Sequence, residues 1–397
     1  MPTPLLLLSD GVTAGTGLAR IARDLAIRIH AHMPEFRVGT YGYGGDFSRA
    51  LGFPQYHMEM RDWVCFNLPD VWHDFAGDDP GVIMTIWDAS RMLWFAKPND
   101  CPDIRLRKFL QSAPIEKWGY FPVDASGPHD KLVDILRVVM QGYDRVLGYS
   151  DWAEGIIRRT VGPALDVSQL PHGIDTSVFM PRNRIQARHG FGQRSGARNN
   201  RGKKAGQYIS IPDDVFLIGI VATNQIRKDW ALGIAAAAEI AKDRPVMLWI
   251  HIDVLEKHWS IPVLLLEYGF TEHAIVTQMD YTDEQMSWLY SACDVTLGIG
   301  IAEGFGFPIF ESLACGTPCI HGHDGGAPEH MPAFMLVEPA AVRYDGPYCC
   351  RRGVYRPEDW AAAIRGIKGK WWDFPRHLDW NELWPRWKTW LLDGIKK

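Results

Sequence analysis

Glu303 and Glu311 stand eight positions apart in the stretch GIGIAEGFGFPIFESLACGTPCI, residues 298–320. Gly304, Phe305 and Gly306 follow the first glutamate, and Pro308 precedes the second. The apolar run VTLGIG reads as a strand that delivers the chain to Glu303. Gly304 and Gly306 permit backbone conformations closed to other residues, and Pro308 suits the first position of a helix, PIFESLACG. At such a helix start the amides of residues 304–307, Phe307 included, point outward, and free N–H groups with the helix dipole attract phosphate. The two carboxylates, one at the strand end and one about a turn into the helix, accept hydrogen bonds from hydroxyls. Donors for a diphosphate beside acceptors for a polyol suit a nucleotide sugar, whose pyrophosphate lies between a ribose and a hexose. The plainer reading is a pair of glutamates favoured only by the dipole, and a single glutamate would leave that reading ahead.

The elements that must position these residues alternate along the whole chain. In the first half PLLLL, GVIMTIW and DRVLGYS read as strands. LARIARDLAIRIHAHM, HDKLVDILRVVMQGY (129–143) and DWAEGIIRRTVG read as helices. The segment QLPHGIDTSVFMPRN (169–183), punctuated by Pro, Gly and Asp, reads as a linker. In the second half VFLIGIVA and PVMLWIHID are strands, DWALGIAAAAEIAKD is a helix, and TDEQMSWLYSACD is a helix with Thr282 and Gln285 at capping-box positions. The expectation is two parallel α/β domains, residues 1–170 and 171–370, facing a cleft with ligands beyond the strand C-termini. A Trp-rich helix within 371–397, with Trp380, Trp384, Trp387 and Leu391 on one face, is expected to pack back towards the first domain.

The 397 residues exceed one ordinary core. A net charge of −5 excludes a wholly basic nucleic-acid protein but not a local basic patch. MPTPLLLLSDG lacks the basic start of a signal peptide, and no apolar run approaches the ~20 residues of a membrane span. Seven cysteines without zinc-like spacing suggest reduced, packed thiols and a cytoplasmic location. Adjacent Asp78 and Asp79 do not make a convincing metal-binding pair, so no essential metal is expected. Residues 182–204 hold eight Arg or Lys and no acid. They read as a solvated loop or, more sharply, as a landing site for a polyanion such as nucleic acid.

In EGFGFPIFESLACGTPCI the chain resembles the E-x7-E donor motif of the family 4 retaining glycosyltransferases, which have the GT-B fold of two Rossmann-like parallel-sheet domains. LPHGIDTSVFMP resembles that family's interdomain segment, QMDYTDEQMSWLYSACDVTL the stretch before the motif, and GGAPEHM (325–331) the segment after it. The resemblance implies that Glu303 binds hydroxyls of the transferred sugar, Glu311 the ribose, and the amides of Gly304, Phe305 and Gly306 sugar and phosphate. It also implies an Arg and a Lys clamping the diphosphate after the first strand of the second domain. In VATNQIRKDW, Lys228 matches the lysine, while Thr223 stands at the arginine position with Arg227 nearby. Threonine cannot grip phosphate in the bidentate way of arginine, so Arg227 either substitutes or faces solvent.

GVTAGTGLAR (11–20) resembles the family's glycine-rich first loop near acceptor and diphosphate, with Gly15, Thr16 and Gly17. Alone it would also suggest a dinucleotide site, but Arg20 stands where that fingerprint wants glycine. Where many family members carry a histidine the chain has Trp87 and Asp88. Asp88 orients the acceptor hydroxyl or takes its proton, or else caps a helix, and Asp124 is a second acceptor-side candidate. The implied activity is sugar transfer, with retention, from a UDP- or GDP-sugar to an acceptor hydroxyl, without an essential cofactor. Modified DNA, a saccharide and a small molecule remain open as acceptors. A non-catalytic or sugar-nucleotide-isomerising GT-B protein, and a nicotinamide oxidoreductase, are the alternatives.

Overall fold

The computed structural model describes residues 1–191, 210–278 and 281–396. The chain divides into two compact units. One comprises Met1–His172, Gly346–Cys349 and Trp384–Lys397, and the other Gly173–Asp345 and Cys350–Leu383.

The first unit is built on a parallel sheet. Its strands are β1 (Thr3–Asp10), β2 (Phe36–Tyr43), β3 (Gln55–His57), β6 (Gly81–Thr85), β7 (Ile115–Tyr120), β8 (Arg145–Gly148) and β9 (Asp166–Gln169). A two-residue-per-strand hairpin, β4 (Met60–Arg61) and β5 (Val64–Cys65), stands apart from it. The sheet order is β3-β2-β1-β6-β7-β8-β9. Leu5 to Leu8 are all 0 % exposed. Consecutive rather than alternating burial is what a sheet covered on both faces produces, and it explains the unbroken leucine run of β1. The helix Gly17–His32 buries Ile21, Leu25 and Ile29, and Thr16 caps it by accepting the Ala19 N–H at 3.1 Å.

One helix is shorter than its periodicity predicts. The expected helix over 129–143 is confined to Asp134–Met140. His129 and Asp130 adopt left-handed φ of +60° and +52° after Pro128, and this breaks the helical path before Val133 restarts it.

The C-terminal helix Trp380–Ile395 uses its tryptophans for packing. Trp387 is fully buried, sets its ring edge-on to Tyr120 at 5.0 Å and donates its indole N–H to the Pro171 carbonyl at 3.1 Å. Trp390 packs at 5.1 Å on Trp118, with the Arg145 guanidinium 4.1 Å over its ring. Gly394 is required here, because a Cβ would lie 2.3 Å from the Trp118 ring.

The second unit repeats the architecture. Its strands are β10 (Phe216–Val221), β11 (Val246–Ile252), β12 (Ala274–Gln278), β13 (Val295–Gly298), β14 (Cys319–Gly322) and β15 (Leu336–Val337), all parallel in the order β12-β11-β10-β13-β14-β15. An antiparallel hairpin, β16 (Ala341–Asp345) and β17 (Cys350–Val354), follows. The capping box on Asp283–Ala292 is complete, with Thr282 and Gln285 each satisfying the other's backbone N–H. The stretch read as a linker is pinned rather than loose: Ile174 donates to Leu378, accepts from Trp380 and pairs with Asp379. No described helix is long and apolar enough to cross a membrane.

Residues 192–204 of the basic segment lie outside the described residues. The basic side chains before them are taken up by the fold. Arg188 is 2 % exposed; it donates to the carbonyls of Ala292, Pro212 and Val215 and pairs with Asp294 at 2.5 Å. Arg184 pairs with the same carboxylate, and Arg182 reaches Ser287 and the Val178 carbonyl. Arg188 is therefore an internal cross-link, while Arg182 and Arg184 are tethered to the same unit with Arg184 still half exposed. Removing a buried charge strands its partner, so Arg188→Ala should destabilise the protein by about 3–5 kcal/mol in urea titration.

Candidate functional site

In an open parallel sheet ligands bind past the strand C-termini where the strand order reverses. In the second unit that point lies between β10 and β13, and the residues that follow these two strands are Arg227, Lys228 and Glu303. After β10 the chain is held along the continuation of β13. Asp229 donates to Ile299, Ile301 donates to Arg227, and Lys228 bridges Gly300. Asp229 then caps the helix Trp230–Ala241 by accepting the Leu232 N–H. Fully buried Asn224 fixes the same loop from the other side. Its amide donates to Val254 and Trp259, its carbonyl oxygen accepts from His258 and Trp259, and its backbone N–H reaches Asp253.

This lacing puts both cations on one carboxylate. Arg227 Nη1 lies 2.9 Å from Glu303 Oε1, and Lys228 Nζ pairs with the same oxygen. The Glu303 side chain is 7 % exposed. Its backbone is equally constrained: the Glu303 carbonyl accepts from Gly326 at 2.8 Å and Ala327 at 3.2 Å. Gly325, at φ +95°, approaches so closely that a Cβ would sit 2.4 Å from that carbonyl oxygen. A Cβ on Gly300 would meet the Glu303 carboxylate itself. Ala302 takes φ +94° just before Glu303, a strained conformation for a residue with a Cβ, costing about 1–3 kcal/mol.

The helix Phe307–Ala314 starts at this point, with Gly306 at φ +84° as its cap and Pro308 in its first turn. No acidic residue lies in that first turn. Two cations and one carboxylate thus stand beside a helix start with no acid in its first turn, and a helix start of this kind favours an anion. Phe305 turns inward onto Phe310 at 4.6 Å, and Phe307 packs edge-on to Phe305 at 5.3 Å. Glu311 is 5 % exposed and accepts a hydrogen bond from Tyr290 at 2.7 Å. Thr223 contributes its carbonyl to the Trp230 indole.

His321, at the end of β14, is fully buried with Nδ1 2.5 Å from the Gly298 carbonyl. Burial pushes its imidazole down to about 4, helped by the Lys228 charge and opposed by that carbonyl. It is neutral at pH 7 and adds no third cation.

In the first unit the order reverses between β1 and β6. Asp10 ends β1; it accepts from the Trp87 indole at 3.0 Å and from the Thr16 hydroxyl at 2.6 Å. Gly15, Thr16 and Gly17 are exposed at the helix start. Asp88 occupies the capping position of a short 3-10 turn without capping it, and faces Arg91 at 3.5 Å. Asp88 and Asp124 share a neighbourhood through Tyr149, whose phenol is held well above its ordinary pKa by burial and then by these two carboxylates. Tyr149 meets His172 edge-on at 4.1 Å, and the Tyr120 hydroxyl lies 2.7 Å from His172 Nδ1. Sequence reasoning missed Tyr149, His172, Asn224 and Tyr290. Tyr149 and His172 follow β8 and β9 directly, and that position was their only local signal.

The hairpin β4–β5 turns through Asp62 and Trp63, both in the left-handed region at φ +50° and +66°, without a glycine. Tight turns of this kind normally take Asn-Gly or Asp-Gly. The result is a half-exposed Trp63 edge-on to Trp87 at 6.0 Å, with the Arg91 guanidinium 4.2 Å over its ring. Among the described residues no group of three His, Cys, Asp or Glu side chains is arranged to hold a metal.

Comparison with known proteins follows the same division. Residues 207–333 match the family described as "Glycosyl transferases group 1". A GDP-mannose-dependent alpha-(1-6)-phosphatidylinositol monomannoside mannosyltransferase of Mycolicibacterium smegmatis is 26 % identical over 205 residues, 49 % of this chain and 48 % of that protein. A D-inositol 3-phosphate glycosyltransferase of Stackebrandtia nassauensis is 22 % identical over 283 residues, 68 % of this chain and 59 % of that protein. The chain thus spans about half the length of the mannosyltransferases it matches. Among solved structures, sucrose-phosphate synthase from Thermosynechococcus elongatus superposes with a TM-score of 0.70 at 17 % identity, covering 99 % of both chains. Anabaena HepE in complex with UDP and glucose gives 0.65 at 14 % identity, covering 93 % of this chain and 90 % of that one.

The buried His321 provides a check on the site's packing. Its pKa is depressed on folding, so its contribution to stability is full above its unfolded value of ~6.5 and is lost as pH falls towards 4. In urea titrations at pH 7 and pH 5, His321→Gln should lose less stability than the parent, the difference approaching about 1.4 kcal/mol per pH unit.

Proposed function

We propose that this chain, a GT-B protein whose second unit carries a group 1 glycosyltransferase domain, moves a sugar from a nucleotide diphosphate donor to an acceptor hydroxyl. The observation that carries the reading is the shared carboxylate: Arg227 and Lys228 meet on Glu303 at the β10/β13 reversal, beside a helix start with no acid of its own. In this reading the second unit binds the donor. Arg227 supplies the guanidinium that Thr223 cannot, and with Lys228 and the amides of residues 304–307 it holds the diphosphate. Glu303 accepts from sugar hydroxyls, and Glu311, oriented by Tyr290, from the ribose. The mannosyltransferase relatives favour a GDP-sugar and the HepE complex a UDP-sugar, so both belong in the test.

The first unit takes the acceptor. The bond between the anomeric carbon and the diphosphate oxygen breaks as the acceptor oxygen bonds to that carbon. Negative charge grows on the leaving diphosphate. Arg227, Lys228 and the helix N-terminus stabilise it where it grows, and such preorganised charge stabilisation usually lowers a barrier more than any other single effect. The acceptor proton passes to the leaving phosphate, with Asp88 orienting the hydroxyl. Attack from the leaving-group face retains the anomeric configuration. No metal ion is needed for this charge balance.

Thermal melting with UDP and GDP, each with and without magnesium, tests the donor site. A diphosphate at 100 times its Kd should stabilise by about 2.7 kcal/mol. One of the two should shift the melting temperature independently of magnesium, and Lys228→Ala should abolish the shift. In turnover assays with the matching sugar donor, Lys228→Ala and Glu303→Gln should each lower kcat/KM by at least about 100-fold, the usual loss when one charge-stabilising group is removed. No shift with either nucleotide would overturn the reading.

A further inference from the structure

A cavity of about 420 Å³ opens in the first unit, lined by Asp62, Trp63, Ser90, Arg91, Trp94 and Asp100 among others. Resting on the transfer reading above, we propose that this cavity binds the acceptor and that the acceptor part seated there is a neutral saccharide. The cavity is placed for that role. Arg91, which lines it, faces Asp88 at 3.5 Å, and Trp63 packs on Trp87, whose indole is tied to Asp10 at the β1/β6 reversal.

Its chemistry selects the ligand. Trp63 is 49 % exposed at the tip of the glycine-free turn, yet its ring is fixed by Trp87 on its edge and by the Arg91 guanidinium. A rigid, accessible indole offers an apolar platform for the C–H face of a sugar ring. Asp62 and Asp100 are acceptors for hydroxyl pairs, Ser90 both donates and accepts, and Arg91 donates. Trp94 adds a second indole to the wall, and its N–H has no hydrogen-bond partner.

A planar base could also stack on Trp63. The charge argues against a nucleic acid, however. The lining carries two carboxylates against one guanidinium; that guanidinium faces Asp88 and Asp100 faces Lys97 at 3.8 Å, so three acids stand against two cations at this mouth. A phosphate backbone brought to this mouth meets like charge, whereas a neutral polyol meets acceptors. The described arginines of the basic segment, 182, 184 and 188, each have partners within the second unit and none lines this cavity.

Saturation-transfer NMR on the full chain tests the inference, with methyl α-D-mannopyranoside, methyl α-D-glucopyranoside, maltose, sucrose, inorganic phosphate and a 20-base-pair DNA duplex as probes. At least one neutral sugar should bind, with affinity unchanged between 50 and 300 mM salt. Trp63→Ala should weaken it at least tenfold and Trp63→Tyr by less than threefold. Asp62→Asn, which keeps the turn residue's shape, should weaken the same sugar at constant Trp63. The nucleotide melting shift should be unaltered in Trp63→Ala, and the sugar signal unaltered in Lys228→Ala, so failure of the donor reading and failure of this one give different patterns. Absence of sugar binding, sugar binding indifferent to Trp63→Ala, or Trp63-dependent binding of the duplex alone would each overturn the proposal.

Discussion

The site in the second unit depends on one carboxylate being held still. Glu303 accepts two cations on a single oxygen while its backbone is gripped by Gly325, Gly326 and Ala327. A methyl group at position 300 or 325 would collide with Glu303, and Ala302 already holds a left-handed φ to aim it. Both cations sit on the same oxygen, Oε1, of this carboxylate. Strain stored beside a charged group in this way is a feature of sites that are organised before ligand arrives.

Sheet topology explains why these residues meet at all. Residues 227 and 303 are far apart in sequence, but they follow β10 and β13, which are neighbours at the reversal of strand order. The pairing of residues 227–229 along 299–301 is in effect a continuation of that strand contact by other means. The first unit applies the same rule with different side chains, bringing Asp10 and Trp87 together from β1 and β6.

What the sequence made legible was whatever rested on neighbours within a turn or two. The strand–bend–helix around Glu303, the Thr282 and Gln285 capping box and the tryptophan face of the last helix all depend on local spacing, and all appear in the structure. The helix over 129–143 was overestimated because apolar periodicity does not register the left-handed conformations of His129 and Asp130. The partner of Glu303 was harder still. Alignment by motif put Thr223 in the arginine's place, whereas Arg227 reaches Glu303 through loop pairing that only the folded sheet supplies. Asn224, Tyr149 and His172 were silent for the same reason: each acts through contacts with distant segments. In the basic run 182–204 the sequence likewise says nothing about Arg188 being buried against Asp294, while residues 192–204 lie outside the described residues.

Both units offer a helix that begins at a topological reversal, and the charges at the two helix starts differ. At the start of Gly17–His32 the anionic place is already filled: the Asp10 carboxylate takes the hydroxyl of the capping Thr16 and the Trp87 indole N–H. A phosphate arriving there would meet a fixed negative charge, with Asp88 close to the same Trp87. At the start of Phe307–Ala314 the first turn has no acid, and Arg227 and Lys228 outnumber Glu303. The glycine-rich loop after β1 therefore lacks the electrostatics of a dinucleotide site even though its sequence suggests one. By charge, the start of Phe307–Ala314 is the better place for an anion, and the start of Gly17–His32 the better place for a hydroxyl.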